Sequence, residues 1–184
     1  ESVLERLARE LADECERALP DEWRWCGRRV LLGDGTTISL PDTEDNQASY
    51  PQPTVQQPGL GFPLVRLVVL FSLATGLLHE VAMGPYAGKE TGEPALLREM
   101  FERLKAGDVL VADRCYCGWF LIALLQELGV DMVVRLHQMR EADFQQGERL
   151  GKGDHLVEWP RPPKPDWMDA AAYARMPASL RLRE

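Results

Sequence analysis

Val3, Leu4, Leu7, Leu11, Ala18 and Leu19 recur every three or four positions among charged residues, which predicts an amphipathic helix over residues 2–19, closed by Pro20. Residues 29–40 change to an apolar run with strand character, interrupted in the middle by Gly33-Asp34-Gly35. The polar stretch that follows, residues 41–63, holds five of the thirteen prolines and reads as a long loop of the functional or mobile kind. "VRLVVLFSLATG" and "LLHEVAMGPY" then predict two antiparallel strands joined near Gly76.

"GEPALLREMFERLKAG" places Leu96, Leu97, Met100, Phe101 and Leu104 on one helical face, with Gly107 as the stop. "DVLVADR" is a short, continuous apolar run of the buried-strand kind. "GWFLIALLQELG" predicts a helix ended by Gly129, and "VDMVVRLHQ" one more strand. Strand, strand, strand, helix, strand, helix, strand implies a mixed α/β sheet, antiparallel in its first half and parallel, through right-handed crossovers, in its second. From Met139 onward the pattern decays into charged, proline-rich sequence that reads as a separate subdomain of short strands and turns. The expected division is an N-terminal helix and connector over 1–28, a core over 29–138 and an insertion over 139–184.

Composition narrows the class. The chain has 184 residues and 45% hydrophobic content, enough for one core of ordinary size. Its longest apolar stretch, Leu64 to Leu78, is broken by Arg66 and Gly76, so no membrane partner is expected. Cys15, Cys26, Cys115 and Cys117 form no regular disulfide framework, and no signal-like segment precedes the first helix; a reducing, cytoplasmic setting is expected. The chain opens inside a helical pattern without methionine and reads as part of a longer polypeptide.

The net charge of −8 argues against a nucleic-acid partner, but its distribution softens the objection. Residues 34–113 hold 11 acidic and 5 basic side chains, whereas residues 114–164 hold 7 of each. The acidic excess coincides with two aspartates set into apolar strands, Asp34 and Asp113. Aspartate is a poor strand former, and an unpaired carboxylate in a core is costly. Taken singly, Asp34-Gly35 suits a hairpin turn and Asp113-Arg114 suits a helix cap or a surface ion pair. Taken together, and on neighbouring strands, two carboxylates about 4 Å apart repel by roughly 4 kcal/mol at an effective dielectric near 20, which a shared proton or a divalent cation must offset. Mg²⁺ or Mn²⁺ suits such a pair, since it takes one or two protein carboxylates and keeps waters and phosphate oxygens in its remaining positions.

"DGTTISLPDTEDNQASYPQ", "GFPLVRLVVLFSLATG", "DVLVADRCYCGWFLIALLQELGVDMVVRLHQMR" and "GERLGKGDHLVEW", in this order, resemble the catalytic domain of bacterial DDE-type transposases of insertion sequence family four. The resemblance covers about residues 30–184. It implies a ribonuclease H-like fold with a β-rich insertion, and Mg²⁺-dependent cutting of DNA at transposon ends with transfer of the 3′-hydroxyl to a target. It makes Asp34 the first and Asp113 the second catalytic, metal-binding aspartate. It also implies a bacterial, nucleoid-associated protein that works as a homodimer in its full-length form.

One element of the family pattern is absent. Its third carboxylate, a glutamate, follows the insertion in a motif of tyrosine, arginine, glutamate and lysine or arginine at helical spacing, and the Tyr-x-x-Arg spacing is not found here ahead of a glutamate. The 184 residues by themselves are therefore expected to be catalytically incomplete. The alternatives are a metal-dependent nuclease of the same fold that cuts without joining, and a silent remnant that binds DNA or pairs with an intact transposase.

Other residues carry weaker signals. Arg114, Arg135, His137 and Arg140 stand where DNA would approach and are candidate phosphate contacts, with plain surface charge as the alternative. Cys115 and Cys117 lack the second ligand pair a zinc site needs. Lys152, between two glycines, lacks the context of a nucleotide-binding loop. Trp159, Trp167 and Tyr173 suit either base stacking or the cover of a small β subdomain. Asn46, Gln47, Tyr50, Gln52, Gln56 and Gln57 suit either hydrogen bonds along a DNA backbone or a loop disordered without DNA.

Overall fold

In a computed structural model, residues 3–57 and 59–184 are described. The expected helix start at residue 2 lies outside them. Helix α1 spans Val3–Ala18. Strand β1, Val30–Ser39, is followed by a short helix α2, Glu44–Ser49, and by the hairpin of β2, Leu64–Ser72, and β3, Leu78–Pro85. Helix α3, Glu93–Glu99, leads to β4, Val109–Ala112, and α4, Trp119–Glu127, to β5, Asp131–Val134. The C-terminal part adds β6, Glu148–Gly151, β7, Asp154–Pro160, α5, Ala170–Arg175, and β8, Ser179–Arg183.

The main sheet is ordered β3-β2-β1-β4-β5. β1 and β2 pair antiparallel, as do β2 and β3, whereas β4 runs parallel to β1 and β5 parallel to β4. The mixed α/β sheet expected from the pattern is thus present, with β1 at its centre. Strands of only four residues suffice for β4 and β5 because each is preceded by a helix, α3 and α4 respectively, that packs over the sheet. Leu31 of β1, Val68 and Leu70 of β2, Leu96 and Leu97 of α3, Leu110 of β4 and Leu121 and Leu125 of α4 form one buried cluster.

The two faces of the sheet differ. Successive strand residues alternate sides, and Leu31, Gly33 and Gly35 share the face under α3 and α4. The opposite face carries Leu32, Val69, Phe71, Val81 and Val111, all only half-buried, and the exposed Met83 and Val133. Among the described residues, no helix is long and apolar enough to cross a membrane.

Three expectations change in detail. First, α1 docks through its charged side: Arg9 donates to Glu80 (2.7 Å), Arg103 pairs with Asp13 (3.2 Å), and the Ser72 hydroxyl donates to the buried Glu16 (3.1 Å). Its apolar stripe of Val3, Leu4, Leu7 and Leu11 is exposed instead, because the strand it meets presents His79 and Glu80. Second, the helix expected over 92–107 stops at Glu99 and continues as a 3₁₀ turn, Phe101–Arg103. The Arg103 carbonyl accepts from Arg29 (2.9 Å), which removes it from any helical ladder. Third, the loop over 41–63 is folded on its own amides. Gln47 donates to the Gly61 carbonyl (3.1 Å), and the Gln52 side-chain oxygen accepts from the Gly59 and Gly61 amides (3.2 Å each).

One ion pair joins the entrances of the two central parallel strands. The Arg29 guanidinium donates twice to Asp108, at 3.0 and 2.5 Å, with both residues buried. The Lys105 amide also donates to Asp108 (2.7 Å), and the Val109 amide to the Arg29 carbonyl (2.9 Å). A buried pair of this quality holds charge only while both partners are present.

The β6-β7-β8 sheet packs on the outer side of α4 through Trp119, Ile122, Trp159, Met168, Met176 and Leu180. The Trp119 indole N–H donates to the Trp159 carbonyl (2.9 Å). Trp159 is buried, and Trp167 and Tyr173 pack partly buried against the same cluster, so these aromatics form the subdomain's cover. At the far end of that sheet the buried His155 meets the Gln146 carbonyl through Nδ1 (2.7 Å) and Glu184 through Nε2 (3.2 Å).

Arg29→Met should lower unfolding free energy by about 3–5 kcal/mol by stranding Asp108, and Arg29→Met with Asp108→Leu should be less damaging than the single change; urea titration followed by circular dichroism checks both. The two buried histidines should respond to pH with opposite sign. Gln146 and Glu184 raise the pKa of His155, so its contribution is full below its unfolded value near 6.5 and is lost as pH rises through the folded value. Burial and the nearby Arg29 lower that of His79, whose neutral form is favoured, so its contribution is lost as pH falls. Hydrogen exchange should therefore quicken in β7 on going from pH 6 to pH 8.5 and in β3 on going from pH 7 to pH 5, after correction for intrinsic rates.

Candidate active site

Gly33 of β1 pairs with Ala112 of β4, which in turn pairs with Val134 of β5. The next residues along the three strands are Asp34, Asp113 and Arg135, so these positions follow side by side at one edge of the parallel half-sheet. Neighbouring strands run about 4.8 Å apart. Asp34 and Asp113 follow Leu32 and Val111 by two residues each, which puts both carboxylates on the open face, and both are exposed.

Their local bonds are few. The Asp34 carboxylate accepts from the Gly35 amide (2.9 Å). Asp34 lies within β1, paired opposite Val69 of β2, and is not part of a hairpin turn. Asp113 caps a 3₁₀ turn, Arg114–Tyr116, by accepting from the Arg114 amide, and its carboxylate stands 3.8 Å from the Arg114 guanidinium. The capping and ion-pair roles open to Asp113 from the sequence are therefore both realised, and they occupy one carboxylate oxygen. The other Asp113 oxygen and the second Asp34 oxygen remain open to water.

The remaining candidates divide. Arg135 leaves β5 beside Asp113 and is exposed. His137 accepts from the Met139 amide through Nδ1 (3.2 Å), which shapes the turn out of β5. Arg140 lies 3.9 Å over the Trp159 ring and so belongs to the surface of the β6-β7-β8 subdomain. Cys117 is buried with the Trp119 cluster, whereas Cys115 is exposed and donates to Glu93 (3.1 Å). Partial desolvation of its sulfur against the protein and that bond push the Cys115 thiol up to about 12, so it stays protonated.

Glu93 was not among the residues read from the sequence. It opens α3 behind Gly92 and ahead of Pro94, and its side chain crosses the Cα of Gly35. A methyl group built on Gly35 would lie 2.7 Å from the Glu93 Cγ and Oε1. The signal that could have revealed it is the glycine directly after Asp34: a strand residue without a side chain marks a close approach by something else.

Among the described residues, no group of three or more His, Cys, Asp or Glu converges to hold a metal ion by itself. Two exposed carboxylates with open sides suit a hard, hydrated cation such as Mg²⁺ or Mn²⁺, which keeps several waters, and do not suit the closed four-ligand shell of structural zinc.

The chain matches known proteins across this region. It is 29% identical over 135 residues to the transposase InsG for insertion sequence element IS4 of Escherichia coli (strain K12), covering 73% of the chain but 30% of that relative. The cryo-EM structure of the piggyBac transposase synaptic complex with hairpin DNA superposes with a TM-score of 0.42 at 8% identity, covering 73% of the chain and 31% of the other. The family profile described as the transposase DDE domain matches residues 25–175, a span that takes in both aspartates and all of the main sheet, and the chain belongs to that family.

Proposed function

We propose that this chain is the part of a DNA transposase that carries the first two catalytic carboxylates, and that the parent protein cuts phosphodiesters at transposon ends and transfers the freed strand to a target. The observation that supports the reading is the pairing of Gly33 with Ala112 on adjacent parallel strands, directly after which Asp34 and Asp113 follow. Three antiparallel strands followed by two parallel ones, in the order β3-β2-β1-β4-β5, support a ribonuclease H-like fold.

Asp34 and Asp113 would hold Mg²⁺ or Mn²⁺, which when bound supplies a polarised water or 3′-hydroxyl and stabilises the leaving oxygen of a phosphodiester. The protein's own contribution is placement. Asp34 is held within β1 and Asp113 directly after β4 as the cap of a 3₁₀ turn, so little reorganisation accompanies ion binding. Arg114 and Arg135, on either side of Asp113 in the fold, are placed to take phosphate oxygens; His137 and Arg140 would extend that contact along the strand. In a chain of net charge −8 these cations matter, because a phosphate backbone approaching two carboxylates is repelled until an ion and arginines neutralise them. In the family pattern a third carboxylate follows the insertion, and the chemistry needs it; pairing in a homodimer and the nucleoid setting belong to the same reading of the parent.

Two measurements test this. Affinity for a DNA duplex should rise about tenfold from EDTA to Mg²⁺, roughly 1.4 kcal/mol, in the wild type but not in Asp34→Asn or Asp113→Asn; equal affinity with and without the ion in all three would overturn it. With Mg²⁺ or Mn²⁺ the 184-residue chain alone should leave supercoiled plasmid intact. Robust nicking abolished by Asp34→Ala would show instead that two strand aspartates suffice, as in a nuclease that cuts without joining.

A further inference from the structure

Tyr116 is fully buried, and its hydroxyl makes no hydrogen bond of good geometry, Glu93 being the acceptor it faces. Its ring lies in the main core with Leu31, Leu97 and Leu121, while the hydroxyl is turned toward Glu93, with Cys115 and Asp34 also within electrostatic reach. A buried donor beside a carboxylate and short of a proper bond is an unusual arrangement in a folded protein. It marks a place where a polar atom belonging to neither residue should sit. A buried water with two to four polar partners is the usual occupant of such a place.

Glu93 reaches this spot from the helical side of the sheet. It does so over Gly35, the neighbour of Asp34, and the Cys115 thiol, two residues past Asp113, holds one of its oxygens (3.1 Å). The three carboxylates approach the same strand ends from two faces without converging as direct ligands of one ion.

We propose that Glu93 is a positioning residue of the cation site, gripping a water of the ion held by Asp34 and Asp113, with the Tyr116 hydroxyl donating to the same water or to Glu93 itself. The inference rests on the reading of Asp34 and Asp113 as metal ligands. Gly35 is required by the same device, since any side chain there would displace the Glu93 carboxylate while leaving the backbone of β1 unchanged. Groups that orient a metal's ligands and waters typically change affinity by 10- to 100-fold when removed.

The test is Mn²⁺ binding to the 184-residue chain without DNA, read by the paramagnetic resonance signal of free Mn²⁺ and by calorimetry. Glu93→Gln should weaken binding about tenfold, Gly35→Ala by a similar factor, and the double variant no further, because both remove one interaction. Tyr116→Phe should weaken binding in the same direction by a smaller factor. A purely structural role for Glu93, as an acidic residue in the first turn of α3 that accepts from Cys115, would lower the unfolding midpoint and leave the Mn²⁺ affinity unchanged. Glu93→Gln and Gly35→Ala both binding Mn²⁺ within twofold of wild type, while Asp34→Asn or Asp113→Asn lose it, would overturn the role of Glu93 alone. Wild-type affinity in the two aspartate variants as well would overturn the carboxylate pair along with it. Should Glu93→Gln fail to fold, Gly35→Ala decides by itself.

Discussion

The buried pairing of Arg29 with Asp108 sets the parallel register of β1 on β4, and the candidate site inherits its geometry from that register. Each partner stands five residues ahead of an aspartate along its own strand segment: Arg29 ahead of Asp34, and Asp108 ahead of Asp113. Five residues of strand span roughly 16 Å, so a two-pronged guanidinium clamp at one end of the ribbon aligns two carboxylates at the other. A slip of one residue would move one aspartate to the helical face and leave its partner behind. The odd separation also explains the partition of charge. The clamp lies on the covered face, where a low dielectric strengthens it, and the carboxylates emerge on the face open to solvent.

The same sheet thus performs two electrostatic tasks with opposite requirements. At the entrance of the parallel strands, charge is buried and fully satisfied by the Arg103 carbonyl and the Lys105 amide as well as by the partner ion. At the exit, charge is exposed and only partly satisfied. Between them lie the Leu31, Leu70 and Leu110 layers that make the ribbon stiff. Helix α3 contributes to both ends: it supplies Glu93 at the exit and leads into the Arg103 carbonyl at the entrance.

Much of this was legible before any coordinates. The strand and helix order follows from apolar runs and glycine stops, and α4 ends at Glu127, just ahead of the expected stop Gly129, whose φ is +72°. Asp34 and Asp113 stood out because a carboxylate in the middle or at the end of an apolar run demands a reason. What escaped was tertiary. No local pattern ties Arg29 to Asp108, since their pairing exists only once β1 and β4 lie together. Glu93 carries no local signal beyond that of a first-turn acid, because the gap above Gly35 that it fills belongs to another element. The glutamines of residues 41–63 advertised polarity, but periodicity carries no information on whether an amide serves its own loop or a partner. The contact of Arg29 with the Arg103 carbonyl, 74 positions away, is likewise tertiary.

The open side of the sheet gives the two aspartates a second duty. They are charged positions on a surface otherwise made of Leu32, Val69, Phe71, Val81, Met83, Val111 and Val133, and they keep its upper part hydrated. Replacing either by alanine enlarges a greasy plateau flanked by the unpaired rims of β3 and β5, the conditions under which sheets stick to one another. A variant that has lost its chemistry can then be hard to distinguish from one that has merely clumped, which makes asparagine, equal in shape and still wetted, the more informative neutral replacement.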